Sequence, residues 1–206
     1  MELLITVQEI QKVRSIVETI DDVAKIDPYI SEAQQVELRD LLGLEFFYKI
    51  LSVITDHRNH VEDFVPTEEA EVYQPTSEEQ KYLLLLNGGN YETSQGHTIQ
   101  FSGLATVLSY FSYGRFLVND NVKHTDSGFV FKQNQFSEPI DQKTVSAKHQ
   151  DARSMALSHW GDVILFLDTK KEDYPLWRMN CKPQGNKVRS STRISSVNNR
   201  NHEYNV

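Results

Sequence analysis

The sequence predicts a mainly α protein: a bundle of about five to six helices with a small β-hairpin at about residues 90–101, a short strand-like segment at about 129–133 and an extended C-terminal tail. Three observations carry that prediction. Apolar residues recur at three- and four-residue spacing in successive segments, as they do on one face of a helix. Helix-start chemistry precedes several of these segments, in Thr6-Val7-Gln8-Glu9, Asp27-Pro28 and Ser77-Glu78-Glu79-Gln80. Alternation of apolar and polar residues, the mark of a half-buried strand, appears in the short stretch His97-Thr98-Ile99-Gln100-Phe101.

Taken in order, Thr6 and Glu9 fit a capping box, in which each side chain bonds the other residue's backbone N–H, and a short first helix is expected through about Val13 to Val17. Asp27 then serves as N-cap with Pro28 at the first helical position, where its missing N–H costs nothing. Ile30, Ala33, Val36 and Leu41 follow at helical spacing, and Gly43 supplies a break after Leu42. LEFFYKILSVI, from Leu44 to Ile54, reads as another helix, so one glycine joins two helices in a hairpin or sharp bend. From Thr55 to Pro75 the pattern gives way to a polar, acidic connection read as a loop, with room for a turn of helix, and not as a domain linker. Ser77 with Gln80 is the second capping box, opening the helix of Tyr82 to Leu86.

Gly88-Gly89 ends that helix, and Asn90 to Phe101 folds back on itself with Gly96 at the turn. The apolar residues of LATVLSYFSYGRFLV, Leu104 to Val118, cover nearly all faces, so this is the expected central buried helix, stopped by Asn119-Asp120-Asn121. Thr125-Asp126-Ser127-Gly128 is turn-like and Phe129-Val130-Phe131 strand-like. The longest helix is expected from about Asp141 to Asp168, with Ala152, Met155, Ala156, His159, Trp160, Val163, Phe166 and Leu167 as its buried stripe. Tyr174-Pro175-Leu176-Trp177 closes the domain. Residues 1–177 are thus one helical domain with a projecting hairpin, and residues 178–206 are a basic tail with almost no core-forming residues, disordered or extended when alone.

Size and composition agree. A chain of 206 residues supports one well-buried core, and 39% apolar residues is slightly low for a globular protein, which leaves length outside the core. A single cysteine, Cys181, excludes an intrachain disulfide and a cysteine-based zinc cluster. The N-terminus has an acidic second residue and no long apolar stretch, so no secretory signal or membrane span is expected. The net charge of −8 is unevenly spread: Arg178, Lys182, Lys187, Arg189, Arg193 and Arg200 face Glu203 alone in the tail, a net of +5, and leave −13 on the body. Such a tail docks on acidic surfaces or phosphates, while the body repels nucleic acid.

The chemical motifs are few. A phosphate-binding loop needs a strand, a glycine-rich turn, a lysine and a following helix, whereas Gly88-Gly89 follows a helix and no lysine lies between Tyr82 and Leu104. His57 and His60, with Asp56 adjacent, could present two imidazoles from one side of a helix, without an identifiable third ligand set. His159, on the apolar stripe, reads as a hydrogen-bonded core histidine. No catalytic constellation, metal site or cofactor site is expected, and the chain is read as a non-enzyme. In the tail, Val188 to Ile194 carries enough β-branched residues to add as a strand to a partner. The alternative use of Arg189, Arg193 and Arg200 is to contact phosphates, as in a nucleic-acid-binding or DNA-packaging accessory protein.

Several segments together resemble a known family. The N-terminal Leu4-Ile5-Thr6 with Glu9-Ile10, PYISEAQQVELRDLLGLEFF, YLLLLNGGNY, GLATVLSYFSYGRFL, SEPIDQKT and DYPLW are similar to the head-to-tail connector (portal adaptor, neck ring) proteins of tailed phages of Bacteroidetes, crAss-like phages among them. The resemblance covers roughly Leu3 to Trp177 and rests on packing and turn motifs. It implies a virion structural protein of the neck, assembled in the host cytoplasm without a cofactor. Many copies, twelve being the number it implies, would form a ring beneath the portal that continues the DNA channel toward further neck or tail proteins. DNA would pass without sequence-specific binding. The tail, with Arg178, Lys187, Arg189, Arg193, Ile194 and Arg200, takes the position that binds the portal or a neighbouring subunit, and the hairpin residues Tyr91, His97 and Ile99 are expected at a subunit or portal contact.

Overall fold

The computed structural model describes residues 2–14, 25–66, 72–119, 122–125, 128–131 and 141–177. The protein is mainly α, as its periodicity predicts. Helices α1 (Val7–Val13), α2 (Asp27–Ala33), α3 (Arg39–Leu42), α4 (Leu44–Glu62), α5 (Ser77–Asn87), α6 (Gly103–Asn119) and α7 (Gln142–Thr169) are joined by two antiparallel strand pairs, β1 (Gly89–Glu92) with β2 (Thr98–Phe101) and β3 (Val122–Thr125) with β4 (Gly128–Phe131). The strand-like segment expected near 129–133 is β4, and β3 is its partner. Helix α6 is the centre: α7, α2, α1 and α5 all pack on it.

Several local expectations are corrected. Thr6 makes no side-chain cap bond. Glu9 reaches Thr6 only through its backbone N–H, at 3.1 Å from the Thr6 carbonyl, while its carboxylate takes Lys12 Nζ at 3.2 Å. Helix α1 stops at Val13 because Arg14 is extended (φ −146°, ψ 136°), and residues 15–17 of the longer expected helix lie outside the described residues. At the second start the cap is Ile26, and Asp27 already stands inside the helix. Between α2 and α3 the chain passes through a π-helical turn, Gln34–Leu38. That turn begins at a buried glutamine whose amide is bonded at both ends: Leu4 N–H donates to Gln34 Oε1 at 2.8 Å, and Gln34 Nε2 donates to the Glu2 carbonyl at 2.9 Å. Arg58 of α4 donates to the Leu3 and Leu4 carbonyls, so the N-terminal segment is held from two helices.

The break at Gly43 (φ 80°) falls where expected, because the left-handed region there suits glycine. The loop expected from Thr55 does not begin there: α4 continues through DHRNHVE to Glu62. Polar residues at those positions sit on a helix that already has a buried face in Phe46, Phe47, Ile50, Val53 and Ile54, and the extension adds no apolar periodicity to read. Helix α7 starts at Asp141, whose carboxylate accepts from Thr144 N–H at 3.2 Å. Its inward residues Ala152, Ala156, Trp160, Val163, Phe166 and Leu167 are all buried, and Met155 and His159 are half-buried.

An aromatic cluster closes the far end of the core. Tyr174 is 1% exposed, lies edge-on to Phe46, Tyr82 and Phe166, and donates its hydroxyl to the Lys81 carbonyl at 2.8 Å. Burial pushes its phenol well above the ordinary value, with the Asp173 charge adding to the effect. Truncating the cluster at its hub, Phe166→Ala, is expected to cost about 3–5 kcal/mol of unfolding free energy in urea titrations, because the neighbouring rings cannot collapse into the space.

Candidate interaction surface

The hairpin is positioned by two glycines that the sequence places far from each other. Gly88 ends α5 with φ 78° and donates its N–H to the Leu84 carbonyl at 2.9 Å. Gly103 opens α6 with φ 74°. Their backbones cross in contact: a β-carbon at Gly88 would meet Phe101 O and Ser102 C at 2.5 Å, and one at Gly103 would meet Gly88 N and Leu86 O. The chain therefore leaves α5, makes the hairpin and re-enters α6 through one point. Gly88 and Gly89 mark a helix end, and the space a phosphate would need against Gly88 is filled by the returning strand.

Gly96 takes the turn (φ 80°), where Gly96 N–H donates to the Thr93 carbonyl at 3.0 Å and Thr93 N–H to the His97 carbonyl at 2.9 Å. Register sets the faces. Tyr91 pairs with Ile99 and Gly89 with Phe101, so these share one face, while Asn90, Glu92, Thr98 and Gln100 share the other. The inner face packs on α7: Phe101 stacks on Phe166 at 4.1 Å with 13° between planes, and Tyr91 meets the same ring edge-on at 5.2 Å. Tyr91 is consequently buried, which corrects its expected place at a partner contact, and the hairpin has more apolar surface of its own to bury than the sequence suggests. His97 is exposed, and Ile99 is 41% exposed although it points to the inner side. Tyr91 and Ile99 alternate with polar residues alike, and it is the contact of Tyr91 with Phe166 that buries the first.

The histidine pair also finds a partner that the sequence did not indicate. Because α4 runs on to Glu62, His57 and His60 lie on one side of it and face the first turn of α5. His60 Nδ1 is 3.0 Å and His57 Nδ1 3.5 Å from Glu79 Oε1, while Asp56 turns away and accepts from Ser52 Oγ at 3.3 Å. Glu79 is also the acidic member of the capping box, which is Thr76 with Glu79 and not Ser77 with Gln80: Glu79 N–H donates to Thr76 Oγ1 at 3.2 Å and Thr76 N–H to Glu79 Oε2 at 2.6 Å. Both registers fit the motif, and the one chosen turns the carboxylate toward the histidines and Tyr73, whose hydroxyl donates to it at 2.9 Å. Burial alone would raise the Glu79 pKa, but hydrogen bonds from His60, Thr76 and Tyr73 outweigh it and hold it at about 2. The group is a structural clamp between α4 and α5, and among the described residues no three of His, Cys, Asp and Glu stand so as to hold a metal ion.

A pH dependence follows. The folded pKa of Glu79 is depressed below its ordinary 4.5, so its contribution is fully present above 4.5 and is lost as pH falls toward about 2. Glu79→Gln is expected to be less stable than the parent at pH 7, with the gap narrowing between pH 4.5 and 2 in urea titrations.

His159 is a hydrogen-bonded histidine of the core margin, as the sequence suggests. Its Nδ1 lies 2.8 Å from Ser102 Oγ, and its ring stacks on Tyr110 at 5.4 Å, over which Arg14 also sits. Arg115, in the middle of the apolar α6, is a partner the sequence reading passed over. It grips Glu37 of the π-helical turn through Nε at 3.0 Å and Nη2 at 2.8 Å, and Glu32 through Nη1 at 2.9 Å. An arginine inside an otherwise apolar helix is the signal that could have revealed it.

The tail residues Arg178, Lys187, Arg189, Arg193, Ile194 and Arg200 lie outside the described residues. The described chain ends at Trp177, which packs on Phe46 and Trp160 and donates its indole N–H to Asp168 at 3.0 Å. Besides Ile99, apolar side chains stand exposed on several elements: Leu44, Tyr48 and Val61 on α4, Leu157 and Leu165 on α7 with Gly161 between them, Val36 on the π-helical turn and Val118 on α6. Among the described residues no helix is long and apolar enough to cross a membrane.

Fold and surface define a mainly α protein that carries a hairpin between two of its helices and leaves apolar side chains exposed on several elements. Residues 38–187 match a family described as "Family of unknown function (DUF6712)", and the chain belongs to that family. No curated protein and no solved structure matches it.

Proposed function

We propose that this protein is a virion structural component, a head-to-tail connector whose copies form a ring beneath the portal and continue the DNA channel toward the tail. The reading starts from the sequence resemblance to connector proteins. The observation that supports it is the pair of exposed apolar faces, Leu44 with Tyr48 on α4 and Leu157 with Leu165 on α7, which are 45–61% exposed. A ring is built from heterologous contacts in which each subunit uses two different faces, and exposed apolar side chains on separate helices suit such contacts. An acidic body around the channel lets DNA slide without being gripped, because like charges repel. In this role the chain is no enzyme and needs no cofactor.

Negative-stain electron microscopy of the purified protein, alone and mixed with a portal protein from the same genome, tests the reading. Rings that cap the portal are expected. A monomer that stays monomeric with portal, or one that binds duplex DNA with a steep salt dependence abolished by replacing Arg189, Arg193 and Arg200, would overturn it in favour of a nucleic-acid-binding role.

A further inference from the structure

We propose that the outer edge of β1 takes residues 188–194 of a neighbouring copy as a third strand. The proposal rests on the connector reading, since a neighbour must stand close enough to lend its tail. Among the described residues this sheet has two strands, and the backbone of β2 runs beside α7. Among the described residues, the backbone groups of β1 are bonded only within the hairpin. An unpaired edge of this kind is a template for strand addition, with main-chain bonds giving affinity and alternate side chains giving specificity.

The side chains identify the occupant. Along the hairpin, the face of Tyr91, Ile99 and Phe101 is apolar and the face of Asn90, Glu92, Thr98 and Gln100 is polar and acidic. Residues 188–194 have the same two-sided pattern: Val188, Thr192 and Ile194 fall on one side with Ser190, and Arg189 and Arg193 on the other with Ser191. Laid beside β1, the segment continues the apolar face outward from Tyr91 and sets its arginines on the side of Glu92. A tail of net +5 on a body of −13 favours the encounter. Reach is sufficient. The described chain ends at Trp177, and Tyr174 just before it is two ring contacts from Tyr91, through Phe166. The residues from there to Val188 span up to roughly 35 Å when extended, enough to leave one subunit and meet the hairpin of the next.

The test uses full-length protein carrying Cys181→Ser. One copy carries Asn90→Cys and a second, differently tagged copy carries Ser191→Cys, or Arg189→Cys or Arg193→Cys one pleat away. The copies are co-expressed and oxidised. The expected result is a disulfide-linked dimer bearing both tags, reduced at least tenfold when the Ser191→Cys copy also carries Thr192→Pro and Arg193→Pro, one of which removes a ladder donor whichever way the strand runs, without touching the helical body. No link from any of the three positions, or a link that forms equally well with the prolines, overturns the proposal. So does a chain carrying both cysteines that closes only on itself, at monomer mass. Light scattering on the same samples separates the two readings: a ring-sized assembly without the link leaves the connector standing and removes the docking, whereas a linked species of dimer mass supports the docking and removes the ring.

Discussion

Gly103→Ala is expected to leave the protein largely unfolded at 25 °C. The β-carbon would meet backbone atoms of Leu86, Asn87 and Gly88, which cannot swing aside as a side chain can. It would also hold alanine at φ 74°. Left-handed strain of about 1–3 kcal/mol and overpacking of about 1–3 kcal/mol or more together approach the whole stability of a typical domain. Gly88→Ala meets the same crossing from the other side and should behave alike. Two further glycines calibrate the result. At Gly96 a β-carbon has room, its nearest neighbour being Glu92 Oε1 at 3.8 Å, so Gly96→Ala should show the strain alone, about 1 kcal/mol. At Gly161, inside α7, a β-carbon meets nothing within 4 Å, and Gly161→Ala should stabilise the monomer by about 1 kcal/mol. Circular dichroism and urea titration of the four variants check the order. A Gly103→Ala protein with parental stability would mean that α5 and α6 do not cross at this point.

Deleting residues 178–206 is expected to abolish binding to the portal while the body still melts cooperatively. The described core ends at Trp177, whose contacts to Phe46, Trp160 and Asp168 are kept by the truncation, so stability should fall by little. What is lost is six of the chain's basic residues, and with them the charge by which an acidic body can be held to acidic partners. Co-sedimentation of the truncated and full-length proteins with portal, beside thermal melts of both, gives the answer. Normal portal binding by the truncated chain removes the tail from the assembly mechanism.

Local chemistry was legible from the chain alone, because its causes lie within a few residues. Helical periodicity placed α2 to α7, Gly43 and Gly88 were recognisable as breaks, and alternation with Gly96 at the turn placed β1 and β2. Where two local solutions were equally good, the sequence did not choose. Thr76 with Glu79 and Ser77 with Gln80 both fit a capping box, and the choice fell to His60 and Tyr73, which lie outside the box and bond Glu79 as well as each other. The polar run from Asp56 to Glu62 looked like a loop because its helical partner, the first turn of α5, is invisible at short range.

The same limit applies to the surface. That residues 90–101 form a hairpin was determined by the sequence; that Tyr91 is buried was decided by the ring of Phe166 on α7, against which it packs. The contact of Gly88 with Gly103, the Gln34 bonds to Glu2 and Leu4, and the Arg115 grip on Glu37 each join residues far apart in sequence. Propensity, capping and turn chemistry act over one or two turns of chain, whereas these pairings exist only once hydrophobic burial has brought distant segments together.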